Sequence, residues 1–498
     1  MRRRDFLTLL PVAAGLPALS ATGAKSDVAH LSTVASEVDV KRDFGAKGDG
    51  VSDDWKAIEN AGRFLEGRGG GRMYFPEGRY RLPKSGKNIT VRNNIEYYGD
   101  GAGSVIVGSN AAFISPNGAI FGRNSYRAYA YYEAHDIVAG DHKIALRAAA
   151  DADNFSPGDV IIARSIGDID SPGDALPYFV EMNRVVSVDG GFIQLEDVID
   201  DGWKGVKIAK VTPDVSQRYS IHDLSIECEN GFPLFIQASY KSAIYNCWTR
   251  GRSVMTVNGF TRSEAHHIVA QVIWSPDRME ALFEIETGSV KAFIHDIEVQ
   301  LTGIAAPDQQ YPLFYCQEFS RRTSIKNVRV DAQGVSVKNV IMTFAGGHNF
   351  HDISVIAQSV DKALDYSCGD PVTFSLNHLP TTFKNIVIDT ADPTNGFNHG
   401  FILYNNHPNG TVENVTVQNS VIKGRTDRGE HNLIWFLRGE QKNILFENVR
   451  GAADIKLGSG EDGILHSRLK NVEIRNCEFR RIASKELIGQ VTSVGGRQ

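Results

Sequence analysis

The chain has 498 residues and a net charge of -6, with hydrophobic residues at 42% and charged residues at 22%. That length and apolar content allow a large core and exclude a disordered chain. Charges of both signs are mixed, with no basic stripe for nucleic acid, and past the N-terminus no apolar run is long enough to span a bilayer.

Taken in chain order, residues 1–24 read as an export signal: "MRRRDFLTLLPVAAGLPALSATGA" has a basic start, an apolar stretch and small residues after it. Arg3-Arg4-Asp5-Phe6-Leu7 has the form of a twin-arginine signal, so a periplasmic or secreted location is expected. Residues 39–82 follow with "FGAKGDGVSDDWKAIENA" at their centre. A phosphate loop would need Lys and a hydroxyl after the last glycine, but Gly50 is followed by Val51 and acids. An EF-hand would need a closing Glu where Asn60 stands. Scaffold explains more. Ser52 or Asp53 can cap a helix whose apolar face is Trp55, Ile58, Ala61, Phe64 and Leu65. Gly69-Gly70-Gly71 ends it, and "RMYFPEGRYRL" gives two short strands around Pro76-Gly78.

This run resembles the opening of the pectate lyase-like superfamily, the polygalacturonase, rhamnogalacturonase and polysaccharide lyase relatives. The resemblance implies the N-terminal cap of a right-handed parallel β-helix and carbohydrate chemistry. It assigns no catalytic residue, because Gly347-His348-Asn349 matches only part of a polygalacturonase Gly-His-Gly segment and the paired acids of those enzymes have no counterpart in place. The expected fold is therefore all-β: a single-stranded solenoid with a helical cap and a small β insertion.

Residues 83–220 read as early coils, beginning with "IEYYGDGAGSVIVG". Within them, about 140–210 read as a β insertion with a hairpin at Asp189-Gly190, a lobe on the rod. Residues 221–482 hold the regular coils and 483–498 a tail. A six-residue pattern returns as "IHDLSI", "IYNCWT", "AHHIVA", "IHDIEV", "IKNVRV", "FHDISV", "FKNIVI", "VENVTV", "FENVRG" and "LKNVEI". Its third positions are Asp223, Asn246, His267, Asp296, Asn327, Asp352, Asn385, Asn414, Asn448 and Asn471, spaced 21 to 34 residues apart. That spacing is a solenoid's, and Asn or Asp at a repeated turn bonds local backbone. A second strand set precedes most of these: "PLFIQA", "VMTVNG", "LFEIET", "LFYCQE", "VIMTFA", "VTFSLN", "FILYNN" and "LIWFLR". About ten rungs at roughly 4.8 Å make a rod near 48 Å long.

With apolar residues inward, the second set presents an outward column suited to a linear glycan. It runs through Thr256, Asn258, Glu284, Glu286, Tyr315, Gln317, Asn377, Tyr404, Asn406, Trp435 and Arg438. Asn258, Tyr315, Gln317, Asn377, Tyr404, Trp435 and Arg438 are the expected substrate-binding residues. Glu284 and Glu286, two apart on one strand, share a face at roughly 6.5–7 Å between Cβ atoms. They could divide into general acid and base for glycoside hydrolysis, or Arg321 or Arg322 could hold them as ion pairs. A lyase acting by β-elimination on a uronic-acid glycan would instead draw on Tyr404, His348, His378, His407 and Arg438. A non-catalytic glycan-binding β-helix is a third possibility. His266 and His267, being adjacent, should face opposite sides of a strand. The acids of "DIDSPGD" read as a polar loop, and neither metal nor cofactor is expected. The partner is a polysaccharide or oligosaccharide, with no nucleic acid and no membrane insertion of the mature chain, as monomer or homotrimer. Cys228, Cys247, Cys316, Cys368 and Cys477 contain no CxxC pair and read as buried thiols, with one bridge possible.

Overall fold

The computed structural model describes residues 36–483 and 491–492, apart from several stretches of which the longest are 116–128, 166–177, 304–311, 369–378 and 458–467. The export segment, "DIDSPGD" and most of the tail lie outside the described residues. What is described is a right-handed parallel β-helix carrying a separate six-stranded antiparallel sheet.

Each coil of the rod has two kinds of strand. Front strands, such as Phe232–Tyr240, Met255–Thr261 and Phe283–Glu286, stack in parallel register. Bent strands, such as Ser220–Cys228, Ala243–Gly251, Glu264–Trp274 and Phe293–Gly303, stack beside them. Alternation drives both: Ile221, Leu224 and Ile226 point inward and are buried, as are Ile294, Ile297 and Val299 above them. Aromatic residues continue the stack, with Phe283 and Phe314 rings 5.1 Å apart and Phe350 and Phe383 likewise 5.1 Å apart.

The bend has one cause. Asp223, Asn246, His267, Asp296, Asn327, Asp352, Asn385, Asn414, Asn448 and Asn471 all have φ between 51° and 59°. Asn and Asp enter this left-handed region more readily than other side chains, since their short polar groups bond nearby backbone. The turn divides each bent strand into a side limb and a back limb, so the rod is three-sided. Turn side chains also bond between rungs: Asn327 Nδ2 donates to Asp296 Oδ1 at 2.5 Å and Asn385 Nδ2 to Asp352 Oδ1 at 2.7 Å. Asn448 belongs elsewhere. The rung between Asn414 and Asn471 is Asn443, which donates to Asn414 at 3.0 Å and accepts from Asn471 at 2.9 Å. Asn448 bonds Asn419 at 2.8 Å in a second ladder one corner further on.

On the side limbs, rings of Tyr74, Tyr98, His222, Tyr245, His266 and His295 stack in one row. His266 and His267 do not face apart as expected. The left-handed turn at His267 breaks strand alternation and brings their Nδ1 atoms within 2.6 Å.

The helix Trp55–Glu66 closes the N-terminal end, burying Ile58, Ala61 and Leu65. Neither Ser52 nor Asp53 holds the N-cap position, which is Asp54. Its buried carboxylate turns to the loop, accepting from the amides of Lys47 at 2.5 Å, Gly48 at 3.2 Å and Arg81 at 3.3 Å. Asp53 instead accepts from Trp55 N at 3.0 Å, and Ser52 donates to Asp49 at 2.8 Å. The glycine run also has a steric reason: at Gly70, with φ 129°, a Cβ would lie 2.3 Å from the Asn94 carbonyl oxygen. The acids and glycines of this junction therefore fasten the cap. Cys228, Cys247, Cys316 and Cys477 are buried free thiols.

The antiparallel sheet spans Tyr132–Glu133 to Val206–Lys210, with a hairpin turning between Asp189 and Phe192. It meets the corner that follows the front strands through charge. Arg262 pairs with Asp200 at 2.9 Å and Glu181 at 3.4 Å, and Lys241 with Asp197 at 2.9 Å. Arg321 Nε and Arg322 Nη2 both reach Asp201, at 2.8 and 2.5 Å.

Candidate active site on the front sheet

Glu284 and Glu286 flank inward-facing Ile285 on Phe283–Glu286. Strand alternation places both on the outer face, yet Glu284 is only 9% exposed. Register surrounds them: Thr256 and Asn258 oppose them on one neighbour, and Tyr315 opposes Glu284 on the other. Asn258 Nδ2 donates to Glu286 Oε2 at 2.8 Å, and Gln317 Nε2 donates to Glu284 Oε1 at 2.9 Å. The two carboxyls are near enough to influence each other's charge.

Burial first, then the charge of Glu286 and that of Glu280, pushes Glu284 up to about 8. Burial raises Glu286 too, against the hydrogen bonds from Glu284 and Asn258 that favour its charged form. Both shifts run the same way, towards the protonated form, and belong to the pair as a unit. Among the described residues no ion pair to either carboxylate is found. Arg321 and Arg322, expected as possible partners, are turned to Asp201 at the corner instead.

The remaining candidates separate. Tyr315 and Gln317 lie beside the pair, and Tyr315 packs edge-on to Phe344 at 5.8 Å. Trp435 stands in the same column as Glu284 and Tyr315, five rungs on, through Met342, Asp365 and Ile402. That separation is about 24 Å. Tyr404 falls in the neighbouring column, opposite Ser367 and, across a register shift, the backbone of Arg438. His348 does not line an open edge. It is buried, with Nε2 3.5 Å from Ser320 Oγ, and desolvation holds it near pKa 3, so it stays neutral. Asn377, His378, Asn406 and His407 lie outside the described residues.

The sequence column also skipped rungs. In the coil after Ser324–Thr343 the front strand is the end of Asn349–Cys368, "KALDYSC", rather than "VTFSLN", which lies outside the described residues. It brings Asp365 into the column, buried and 2.9 Å from Lys362 Nζ. His399 was missed as well; its ring lies 5.0 Å from Trp435, which Lys456 overlies at 5.5 Å. Alternation of Leu364 and Tyr366 about Asp365 was the available signal. Among the described residues no group of three or more His, Cys, Asp or Glu is arranged to hold a metal.

Fold and cap define the class: a right-handed parallel β-helix whose opening residues resemble a pectate lyase-like family. Residues 38–145 match the family described as rhamnogalacturonase A/epimerase, pectate lyase-like. The chain is 41% identical over 70 residues to mannuronan C5-epimerase AlgE6 of Azotobacter vinelandii, which is 13% of this chain and 8% of that protein. It is 39% identical over 70 residues to alginate lyase 7 of the same organism, again 13% and 8% of the two chains. The matches thus span under a tenth of these relatives' lengths, and the family match ends well before Glu284. Among solved structures, the tailspike gp61 of Pseudomonas phage phi297 aligns with a TM-score of 0.51 at 12% identity, over 86% of this chain and 83% of that one.

Proposed function

We propose that the protein is an exported carbohydrate-active enzyme that hydrolyses glycosidic bonds of a polysaccharide or oligosaccharide on its front sheet. The observation that carries this is the Glu284–Glu286 pair on one strand face, which has amides rather than cations beside it and which burial pushes towards the protonated form. Uncompensated acids in a core sheet cost stability and are retained where their proton does work.

Glu284, protonated at neutral pH, is the group to protonate the departing glycosidic oxygen, and Glu286 is the group to take a proton from water. Carboxyl separation sets the stereochemical course, roughly 5–5.5 Å in retaining enzymes and roughly 6.5–9.5 Å in inverting ones. Tyr315 and Gln317 flank the cleavage point, and Trp435 offers a ring face about five rungs away. The polysaccharide-acting names of the cap's relatives agree with a glycan substrate.

A lyase is the second reading, favoured by the donor set itself: the amides of Asn258 and Gln317 and the neutral Glu284 could together neutralise a uronate carboxylate. Tyr315, beside the pair, would then take the C5 proton. Incubating the protein with neutral and acidic polysaccharides, while following reducing ends and the absorbance of unsaturated uronate, separates the readings. Reducing ends alone, abolished by Glu284→Gln or Glu286→Gln, are the expected result. Reducing ends with absorbance mean elimination. If neither signal develops on any substrate, the sheet binds glycan without cleaving it. The export signal is tested by fractionating cells that express the full chain and its Arg3→Lys, Arg4→Lys form.

A further inference from the structure

A second groove lies on the back limbs of the bent strands, away from Glu284 and Glu286. It encloses about 450 Å³ across successive coils. Trp248 and Val269 are neighbours in one outward column, which continues through Glu298 and Arg329. In the next column Gln271 and Gln300 are paired. Trp248 is 39% exposed and Val269 46%, both high for large apolar side chains on a regular sheet. One edge of the Trp248 ring faces Gly101, where an added Cβ would lie 3.7 Å from its Cη2 and Cζ3.

The charges lining the groove nearly cancel: Glu227, Glu298 and Asp331 against Arg250 and Arg329. Arg79 already neutralises Glu227 at 2.9 Å. A strongly charged ligand would meet repulsion from one set or the other. What the surface offers is a flat aromatic face for C–H groups, two planar amides in register, and donors and acceptors of both kinds for hydroxyls. The groove is open and runs across rungs, which suits an extended chain better than a compact metabolite.

We propose that this back groove binds a neutral oligosaccharide, with Trp248 as its stacking platform and Gln271 and Gln300 as hydroxyl ligands. The site is separate from the front sheet and goes beyond the catalytic reading. A second copy of the chain is a poorer occupant. Two exposed apolar side chains in the groove, among mixed charges, supply little of the core of a standard interface, roughly 800 Å² per partner.

The test uses the full chain carrying Glu286→Gln, titrated calorimetrically with cellohexaose, laminarihexaose, maltohexaose and xylohexaose, with hydrogen exchange on each complex. At least one probe should bind and protect Ala243–Gly251 and Glu264–Trp274. Trp248→Ala should weaken that binding about tenfold and remove the protection, while Trp248→Phe restores most of it. Binding of none of the four probes overturns the proposal. So does protection confined to Met255–Thr261 and Phe283–Glu286, or binding unchanged in Trp248→Ala. Light scattering run alongside overturns it as well if Trp248→Ala dissociates an oligomer. Cleavage by the native protein reports on the front sheet alone, so failure of either reading is seen without the other.

Discussion

Two groups of acids, buried or half-buried, lie along the same coils and meet opposite surroundings. At the corner, Asp197, Asp200 and Asp201 reach from the antiparallel sheet to Lys241, Arg262, Lys291, Arg321 and Arg322. On the front sheet, Glu284 and Glu286 accept from two amides, and among the described residues no cation pairs with them. Burial works against ionisation at both corner acids, yet Arg322 and Arg321 hold Asp201, and Tyr240 and Lys241 hold Asp197, below the usual carboxylate range, whereas Glu284 is pushed up to about 8. A carboxylate that meets a cation is settled as an ion and fastens structure. One that meets another carboxylate keeps a proton it can give away. Glu181 stands between these cases: burial and Asp200 raise it even with Arg262 at 3.4 Å.

The sharpest way to break this contrast is Glu286→Gln, which should lower kcat about 10³-fold with little change in KM, measured on the best substrate of the panel. An effect under tenfold would make the front pair structural. The alkaline limb of the native pH–rate profile should fall as pH passes about 8, where Glu284 loses its proton. Next in size, Asp201→Asn should cost about 3 kcal/mol in denaturant unfolding, because it removes the carboxylate that both the 0% exposed Arg321 and Arg322 reach.

A third measurement compares stabilities across pH. The folded-state pKa of Glu284 lies above its ordinary 4.5, so its bound proton stabilises fully below about 4.5 and is lost as pH rises through about 8. Relative to Glu284→Gln, the native protein should therefore lose stability as pH rises between those limits. A flat difference would mean Glu284 does not hold its proton. The smallest effect belongs to the outer end of the corner network. Arg322 is 36% exposed at its side chain, and Arg322→Gln should cost about 0.5 kcal/mol, fading in high salt.

The amino-acid sequence by itself determined the coils. Alternating apolar residues set which face of each strand turns inward, and Asn or Asp at the bend selects a left-handed backbone, so strands, turns and cap were legible as local preferences repeated along the chain. It also showed that Glu284 and Glu286 share a face. Whether they meet a cation was not legible, since Arg321 and Arg322 stood equally near in chain. Only docking of the antiparallel sheet turned those arginines toward Asp201 and left the glutamates to each other. The slips have the same origin: Asn448 for Asn443, "VTFSLN" for "KALDYSC", His266 set apart from His267. Rung registry, corner geometry and charge pairing are decided between segments far apart in sequence, where no local preference reaches.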